Sequence, residues 1–169
     1  MRKISCKSKS LIAYTFSHFC IDFACFFVLF SNFKAKTGNI EIVAIGFIIY
    51  NIIAFGLQPL IGYLCDEKPK IPIAVSGCFL VAIGLLIMPI PWLSLGLCAV
   101  GNACFHIGGG IDSLKLADGK MFRSGIFVST GALGVSFGTM FEKSENPSVF
   151  LPLTLIIISI SLIFVFVKR

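Results

Sequence analysis

Six long apolar segments occupy most of this chain of 169 residues, and they constrain its fold more than any other feature. The segments run over residues 11–30, 42–63, 71–88, 92–110, 124–141 and 148–167. A hydrocarbon core about 30 Å thick takes roughly 20 apolar residues in a helix, and each segment is close to that length. Because unpaired backbone polar groups are costly in lipid, such segments cross a bilayer as helices. The sequence therefore predicts an all-α membrane protein, with one six-helix transmembrane domain over residues 1–169.

Basic residues are concentrated in the connections on one side of these predicted spans. With the N-terminus placed inside, the inner segments hold eleven of the fourteen Lys and Arg residues, and the outer ones hold three. The inner ones are Arg2, Lys3, Lys7, Lys9, Lys68, Lys70, Lys115, Lys120, Arg123, Lys168 and Arg169, and the outer ones are Lys34, Lys36 and Lys143. Cytoplasmic loops carry the excess of basic residues, which predicts a cell-membrane protein with both termini in the cytoplasm. The net charge of +6 then follows from topology, and we expect lipid but no nucleic acid as a partner.

The first span carries an acid, Asp22, deep within apolar sequence. A charge at the bilayer centre costs from about 2.5 to more than 10 kcal/mol, so the carboxyl needs a partner, a water-filled cavity or a proton. His18 and Tyr14 precede it by one and two helical turns and share its helix face. This face is expected to point into the protein, either as a functional site or as a polar cluster that holds helices together.

The fourth span repeats the pattern with Asn102 and His106, four residues apart. Gly108, Gly109 and Gly110 follow His106 and are expected to loosen the inner end of that helix. If both faces line one cavity, His18, Asp22, Asn102 and His106 converge. Burial and pairing can move the pKa values of such groups toward neutrality, which suits proton exchange. Direct binding of a charged solute and a buried structural histidine are the alternatives.

Several other features give weaker predictions. Asn51 and Gln58 are further candidate polar residues of the second span, and Gln58-Pro59 predicts an irregular helix there. Gly131, Gly134 and Gly138 place small residues on one face of the fifth span, for close helix packing or for a sliding interface. The sixth span is expected to face lipid. The seven cysteines are expected to be buried thiols.

Neither a resident metal, nor a cofactor, nor an enzymatic activity is expected. His18, Asp22, Cys25, Cys104 and His106 are possible metal-ligand types, but they form no tight ligand motif. The sequence also lacks a nucleophile elbow, a phosphate-binding glycine loop and a zinc-protease motif.

The turn after the second span resembles the loop motif of the major facilitator superfamily. That motif has a glycine, an aspartate four residues later and then basic residues, which correspond here to Gly62, Asp66 and Lys70. Glu67 stands where a basic residue usually follows the aspartate. In the family this loop braces one conformational state through charge contacts, and the resemblance implies that gating role here.

Three further stretches resemble the N-terminal half of fosmidomycin-resistance-type carriers. They are Ser17-His18-Phe19 with Asp22, Gln58-Pro59-Leu60-Ile61-Gly62, and Gly101 to His106 with Gly108 and the glycines Gly131, Gly134 and Gly138. Their order matches one six-helix half, although Ile107 replaces an expected proline.

This resemblance implies a fold and a mechanism. Members have twelve helices in two halves related by an axis along the membrane normal, and the first and fourth helices of each half line the cavity. Many exchange a solute for protons. A six-helix chain is then expected to form a parallel homodimer that moves a small organic substrate, with proton coupling, by alternating access. The alternatives are a heterodimer with another half-carrier, a non-transporting truncated scaffold and, less favoured, a pore.

Overall fold

The computed structural model describes residues 6–68, 72–141 and 147–167, and these residues fold into apolar helices without a strand among them. The helices are α1 (Cys6–Thr37), α2 (Ile40–Glu67), α3 (Ile73–Leu86), α4 (Pro91–Leu116), α5 (Met121–Phe141) and α6 (Phe150–Phe166). Four of them, α1, α2, α4 and α5, are long and apolar enough to cross a membrane. The shorter helices α3 and α6 have 14 and 17 residues. At this level the prediction of an all-α membrane protein is confirmed.

Helix α1 changes its winding in its last third and then ends sharply. Residues Val28–Phe33 form a π-helical segment, within which the Asn32 amide donates to the Met88 carbonyl at 2.9 Å. Gly38 has a φ of 62°, a left-handed conformation that glycine adopts without strain. Asn39 then caps α2 by accepting hydrogen bonds from two backbone amides of its first turn. These features join α1 to α2 through a very short turn.

Helix α2 consists of two α-helical parts, Ile40–Gly56 and Gln58–Glu67, which meet at Leu57. Pro59 has no backbone N–H and clashes with the preceding turn, which explains an interruption at this point. The Gln58 amide donates to the Ala54 carbonyl at 3.1 Å. The irregularity predicted at Gln58-Pro59 is therefore confirmed, and a side chain supplies a hydrogen bond beside it.

Helix α1 lies at the centre of the bundle. It packs against α4, α5 and α6, and 67% of its most apolar stretch is buried. The corresponding share is 56% for α4 but only 22% for α2 and for α5. Helices α2 and α5 therefore lie at the periphery, and the polar face of α1 points into the protein.

Small residues set the close approach of α5 to α1. Gly131, Gly134 and Gly138 are buried on the face of α5 that meets α1. A Cβ atom added at Gly138 would lie 2.5 Å from the Phe23 carbonyl oxygen, which is closer than atoms can pack. The packing role predicted for this stripe is confirmed, whereas the sliding-interface alternative stays a prediction.

The prediction that Gly108, Gly109 and Gly110 loosen α4 is wrong. The helix continues through them to Leu116, so His106 lies well inside it. A Cβ atom at Gly108 would lie 2.5 Å from the Ala74 backbone nitrogen. The glycine thus lets α3 and α4 pack closely, and the α4 backbone keeps its hydrogen bonds.

Two other predictions need correction. Helix α6 does not face lipid alone, because Pro152, Ile156, Ser159 and Ile163 are buried, and the helix packs on α1 and α3. The Ser10 hydroxyl also donates to the Phe166 carbonyl at 2.6 Å, which joins the ends of α1 and α6. The thiols are free and four of the seven are buried, but Cys6 is exposed, and Cys65 and Cys104 are half-buried.

Substitution of Gly138 by Ala is expected to destabilise the protein. The added methyl group forces α5 away from the Phe23 backbone, and overpacking of this kind costs about 1–3 kcal/mol. Thermal unfolding of the purified protein in detergent should show a lower midpoint.

The matched control is Gly125→Ala on the same helix. A Cβ atom there meets nothing within 4 Å, and Ala is the better helix former, so its midpoint should stay the same or rise. Equal midpoints for the two variants would contradict the close α1–α5 contact.

Candidate functional site

Two histidines and an aspartate meet in the interior, and we call His18, Asp22 and His106 the His–Asp cluster. The Nε2 atoms of His18 and His106 are 3.2 Å apart. His18 Nε2 lies 3.3 Å from Asp22 Oδ2, and His106 Nε2 lies 3.2 Å from Asp22 Oδ1. The three contacts close a triangle between α1 and α4, as the spacing of the two polar faces predicted.

Asn102 holds the Asp22 carboxylate from a third direction and is itself bonded to Tyr50. The Asn102 amide donates to Asp22 Oδ1 at 2.9 Å and to the Tyr50 hydroxyl at 2.6 Å. Tyr50 belongs to α2, so the site joins three helices. His18, Asp22, Asn102 and Tyr50 are all at most 5% exposed. The His106 side chain is 23% exposed and gives the cluster its contact with the outside of the bundle.

Helix α5 covers the cluster from the other side. The Phe127 ring stacks on the His18 ring with centroids 4.4 Å apart. A Cβ atom at Gly131 would lie 2.5 Å from His18 Nε2 and 2.6 Å from Asp22 Oδ2. Glycine at position 131 is therefore required for the two α1 side chains to occupy their positions.

The hydrogen bond behind His18 decides where its ring hydrogen lies. His18 Nδ1 is 2.7 Å from the Phe127 carbonyl oxygen, which can only accept, so Nδ1 carries the hydrogen. In the neutral ring, Nε2 then presents a lone pair to Asp22 and His106. The Asn102 amide already has acceptors in Asp22 and Tyr50.

When both rings are neutral and Asp22 is ionised, the cluster therefore has fewer donor hydrogens than close polar contacts. Neutral His106 supplies at most one hydrogen from Nε2, whereas three pairs of atoms lie within 3.3 Å. Facing lone pairs repel each other, and the repulsion is strong in an apolar interior. An additional cation between these atoms removes it, so the arrangement has the chemistry of a cation-binding site.

Tyr14 lies on the same buried face of α1 as His18 and Asp22. Its hydroxyl donates to Asp112 Oδ2 at 2.5 Å. Asp112 is half-buried and lies within α4, because the helix extends beyond residue 110. Asp112 therefore lies beyond the predicted end of the fourth span at residue 110 but within the helix, and it forms a second polar pair below the cluster along α4.

Asn51 does not reach the cluster. Its amide donates to the Phe47 carbonyl of its own helix at 2.7 Å. The preceding residue, Tyr50, occupies the place that Asn51 was expected to take. A tyrosine within an isoleucine-rich segment is the only signal in the sequence that could have indicated it.

The predicted gating loop contributes no ion pair within the described part of the chain. Gly62 and Asp66 lie in the last turns of α2, where Asp66 is exposed, and Lys70 lies outside the described residues. Asp118 is instead the acid that forms ion pairs at this end of the bundle, 2.8 Å from Lys7 and 3.5 Å from Arg123. The hydrogen bond from Lys7 lowers the pKa of Asp118 below its ordinary value.

No family model, no curated protein and no solved structure matches this chain. The likeness to major facilitator carriers consequently rests on the loop residues Gly62, Asp66 and Lys70 and on the polar and glycine positions of the helices.

The Tyr50→Phe variant is expected to be less stable than the wild type. Removal of the hydroxyl leaves a buried Asn102 hydrogen without its acceptor, a loss of about 1 kcal/mol or more. The unfolding midpoint in detergent should fall.

Asn51→Ala is the control, since Asn51 bonds only to its own helix backbone and lies outside the cluster. Its midpoint should remain near that of the wild type. A larger fall in the midpoint for Asn51→Ala than for Tyr50→Phe would contradict the assignment of Tyr50 to the site.

Proposed function

We propose that this chain is one half of a secondary transporter, in which the His–Asp cluster binds the coupling proton. Two copies would pair in parallel and move a small organic solute by alternating access. The observation that carries the proposal is the buried triangle of His18, Asp22 and His106, which joins two of the four helices that suit a membrane span.

The shortage of donor hydrogens in the His–Asp cluster supports a proton as one of its occupants. Neutral rings and an ionised carboxylate leave lone pairs facing each other at 3.2–3.3 Å. An added proton converts one of these contacts into a charge-assisted hydrogen bond. It also compensates the Asp22 charge, which is otherwise costly within a bilayer. Loss and gain of this proton therefore change the packing energy between α1 and α4.

Polar groups below the cluster support an access route along α4. His106 is the partly exposed member of the His–Asp cluster. Asp112 lies six residues further along the same helix, about 9 Å by helical rise. Asp112 is bonded to Tyr14, which is two turns from Asp22 on α1. Ionisable groups within membrane helices commonly mark proton or substrate paths. This series leads from the cluster toward the predicted cytoplasmic end.

The exposure of α2 and α5 supports a paired assembly. Only 22% of the most apolar stretch of each helix is buried, yet α2 packs on α4 and α5 packs on α1. A second copy placed against these helices would cover their exposed apolar surfaces. The cavity expected between the halves of a major facilitator carrier would then form between the copies.

Asp22→Asn is expected to abolish proton-coupled transport. An amide keeps the shape of the carboxylate but neither binds a proton nor attracts one. A thermal-shift screen of small organic ions at two pH values would select the test solute. Uptake of that solute into proteoliposomes, driven by an imposed proton gradient, would then be recorded with a pH-sensitive dye inside.

Glu41→Gln serves as the charge-matched control, because Glu41 is exposed at the start of α2 and far along the chain from the cluster residues. This variant should transport like the wild type. Undiminished coupled transport by Asp22→Asn would disprove the proton-binding role of the cluster.

Two copies of the chain are expected to associate in lipid. The measurement is the mass of the protein in nanodiscs assembled at low protein-to-disc ratio, with crosslinking in native membranes as a second test. A monomer that moves no solute would favour the scaffold alternative. Crosslinks to a different membrane protein, without self-crosslinks, would favour a heterodimer.

A further inference from the structure

The distances within the His–Asp cluster match the spacing of ligands around a tetrahedral metal ion. Zinc takes histidine nitrogens and carboxylate oxygens at about 2.0–2.2 Å, which places neighbouring ligand atoms of a tetrahedron about 3.3–3.6 Å apart. In the cluster, the two histidine Nε2 atoms are 3.2 Å apart, and they lie 3.2 and 3.3 Å from different oxygens of the Asp22 carboxylate, Oδ1 for His106 and Oδ2 for His18. One ligand atom from each of His18, Asp22 and His106 lies within 4.8 Å of the other two, so side-chain adjustment can bring all three residues to a single ion.

The hydrogen bond behind His18 is a second and independent indication of a metal ligand. A metal-binding histidine almost always donates its other ring hydrogen to a carboxylate, a carbonyl or water, which fixes the tautomer and orients the ring. His18 Nδ1 has this partner in the Phe127 carbonyl, 2.7 Å away. The stacked Phe127 ring also restricts rotation of the imidazole. The Nε2 lone pair is thus directed to the centre of the triangle.

Asp22 is oriented in a comparable way. Asn102 donates to Oδ1, and the same amide is held by the Tyr50 hydroxyl. Outer hydrogen bonds of this kind position carboxylate ligands of metal ions. His106 is the partly exposed member, with its side chain 23% exposed, so the cluster is open to the outside of the bundle on that side.

We propose that the His–Asp cluster binds one divalent transition-metal ion of the zinc class, with three protein ligands and an open fourth position. Two imidazole nitrogens and a carboxylate suit zinc or cobalt, whereas magnesium and calcium require six or more oxygen ligands in most sites. The proposal goes beyond the proposed transport function, because binding depends on the cluster geometry alone and stands whether or not a solute is moved.

The test uses the full chain, purified without a histidine tag and reconstituted in nanodiscs, with Co²⁺ as the probe. Four-coordinate Co²⁺ absorbs visible light much more strongly than six-coordinate Co²⁺. The wild type is expected to give this strong absorption with one Co²⁺ per chain, and Zn²⁺ should abolish it by displacement. Calorimetric titration with Zn²⁺ should show the same stoichiometry.

Variants assign the ligands. Asn102→Ala, which removes the support of Asp22, is expected to weaken Co²⁺ binding about 10–100-fold. His106→Phe removes a ligand at the partly exposed position and should weaken binding at least as much. Cys104→Ser is the control on the same helix, because a half-buried thiol is the alternative ligand there, and its binding should equal that of the wild type.

Three results would overturn the proposal. They are the lack of strong absorption and of Zn²⁺ heat in the wild type, a six-coordinate Co²⁺ spectrum, and unchanged affinity in His106→Phe. The wild-type measurements need no variant to fold. They also distinguish failure of metal binding from failure of transport, since a protein can bind Co²⁺ as described and still fail to move protons in vesicles.

Discussion

Burial of the Asp22 carboxylate is the constraint on which the rest of the structure depends. A carboxylate in an apolar bundle is tolerated only with partners, and Asp22 receives them from Asn102 and His106 on α4, whereas His18 on its own helix becomes a partner when a cation lies between them. Tyr50 of α2 supports Asn102 in turn. These contacts set the rotation of three helices relative to one another. If one helix rotated about its axis by a single residue position, its polar side chain would leave the interior.

The polar interior is compatible with dense packing only because its neighbours are small. Helix α5 approaches α1 so closely at Gly131 that any side chain would meet His18 and Asp22. Gly77 and Gly101 allow the same approach between α3 and α4, where a Cβ atom at Gly77 would lie 2.5 Å from the Gly101 carbonyl oxygen. Membrane helices associate largely through such packing and interhelical hydrogen bonds. The glycines therefore contribute to the site as well as to stability.

The spacing of polar residues along the sequence predicted those features of the site that depend on a single helix. The i, i+4 spacing of His18 with Asp22 and of Asn102 with His106 identified both faces of the cluster. Tyr50 was missed because its position depends on how α2 rotates against α4, and neighbouring residues on a helix differ by about 100°. Asp112 was misplaced because apolar sequence ends near residue 110, whereas α4 continues to Leu116 on backbone hydrogen bonds. The tautomer of His18 depends on the distant Phe127 carbonyl, which no local pattern reveals.

The two proposed occupants of the cluster use the same lone pairs. A proton placed between His18 Nε2 and Asp22 occupies the position that an ion would need, so the two cations exclude each other at this site. Because only one cation can occupy the cluster at a time, binding of a metal ion requires release of the proton. The two cations are then coupled without a second binding site. His106 is the partly exposed member of the cluster, so either cation would enter or leave past its imidazole.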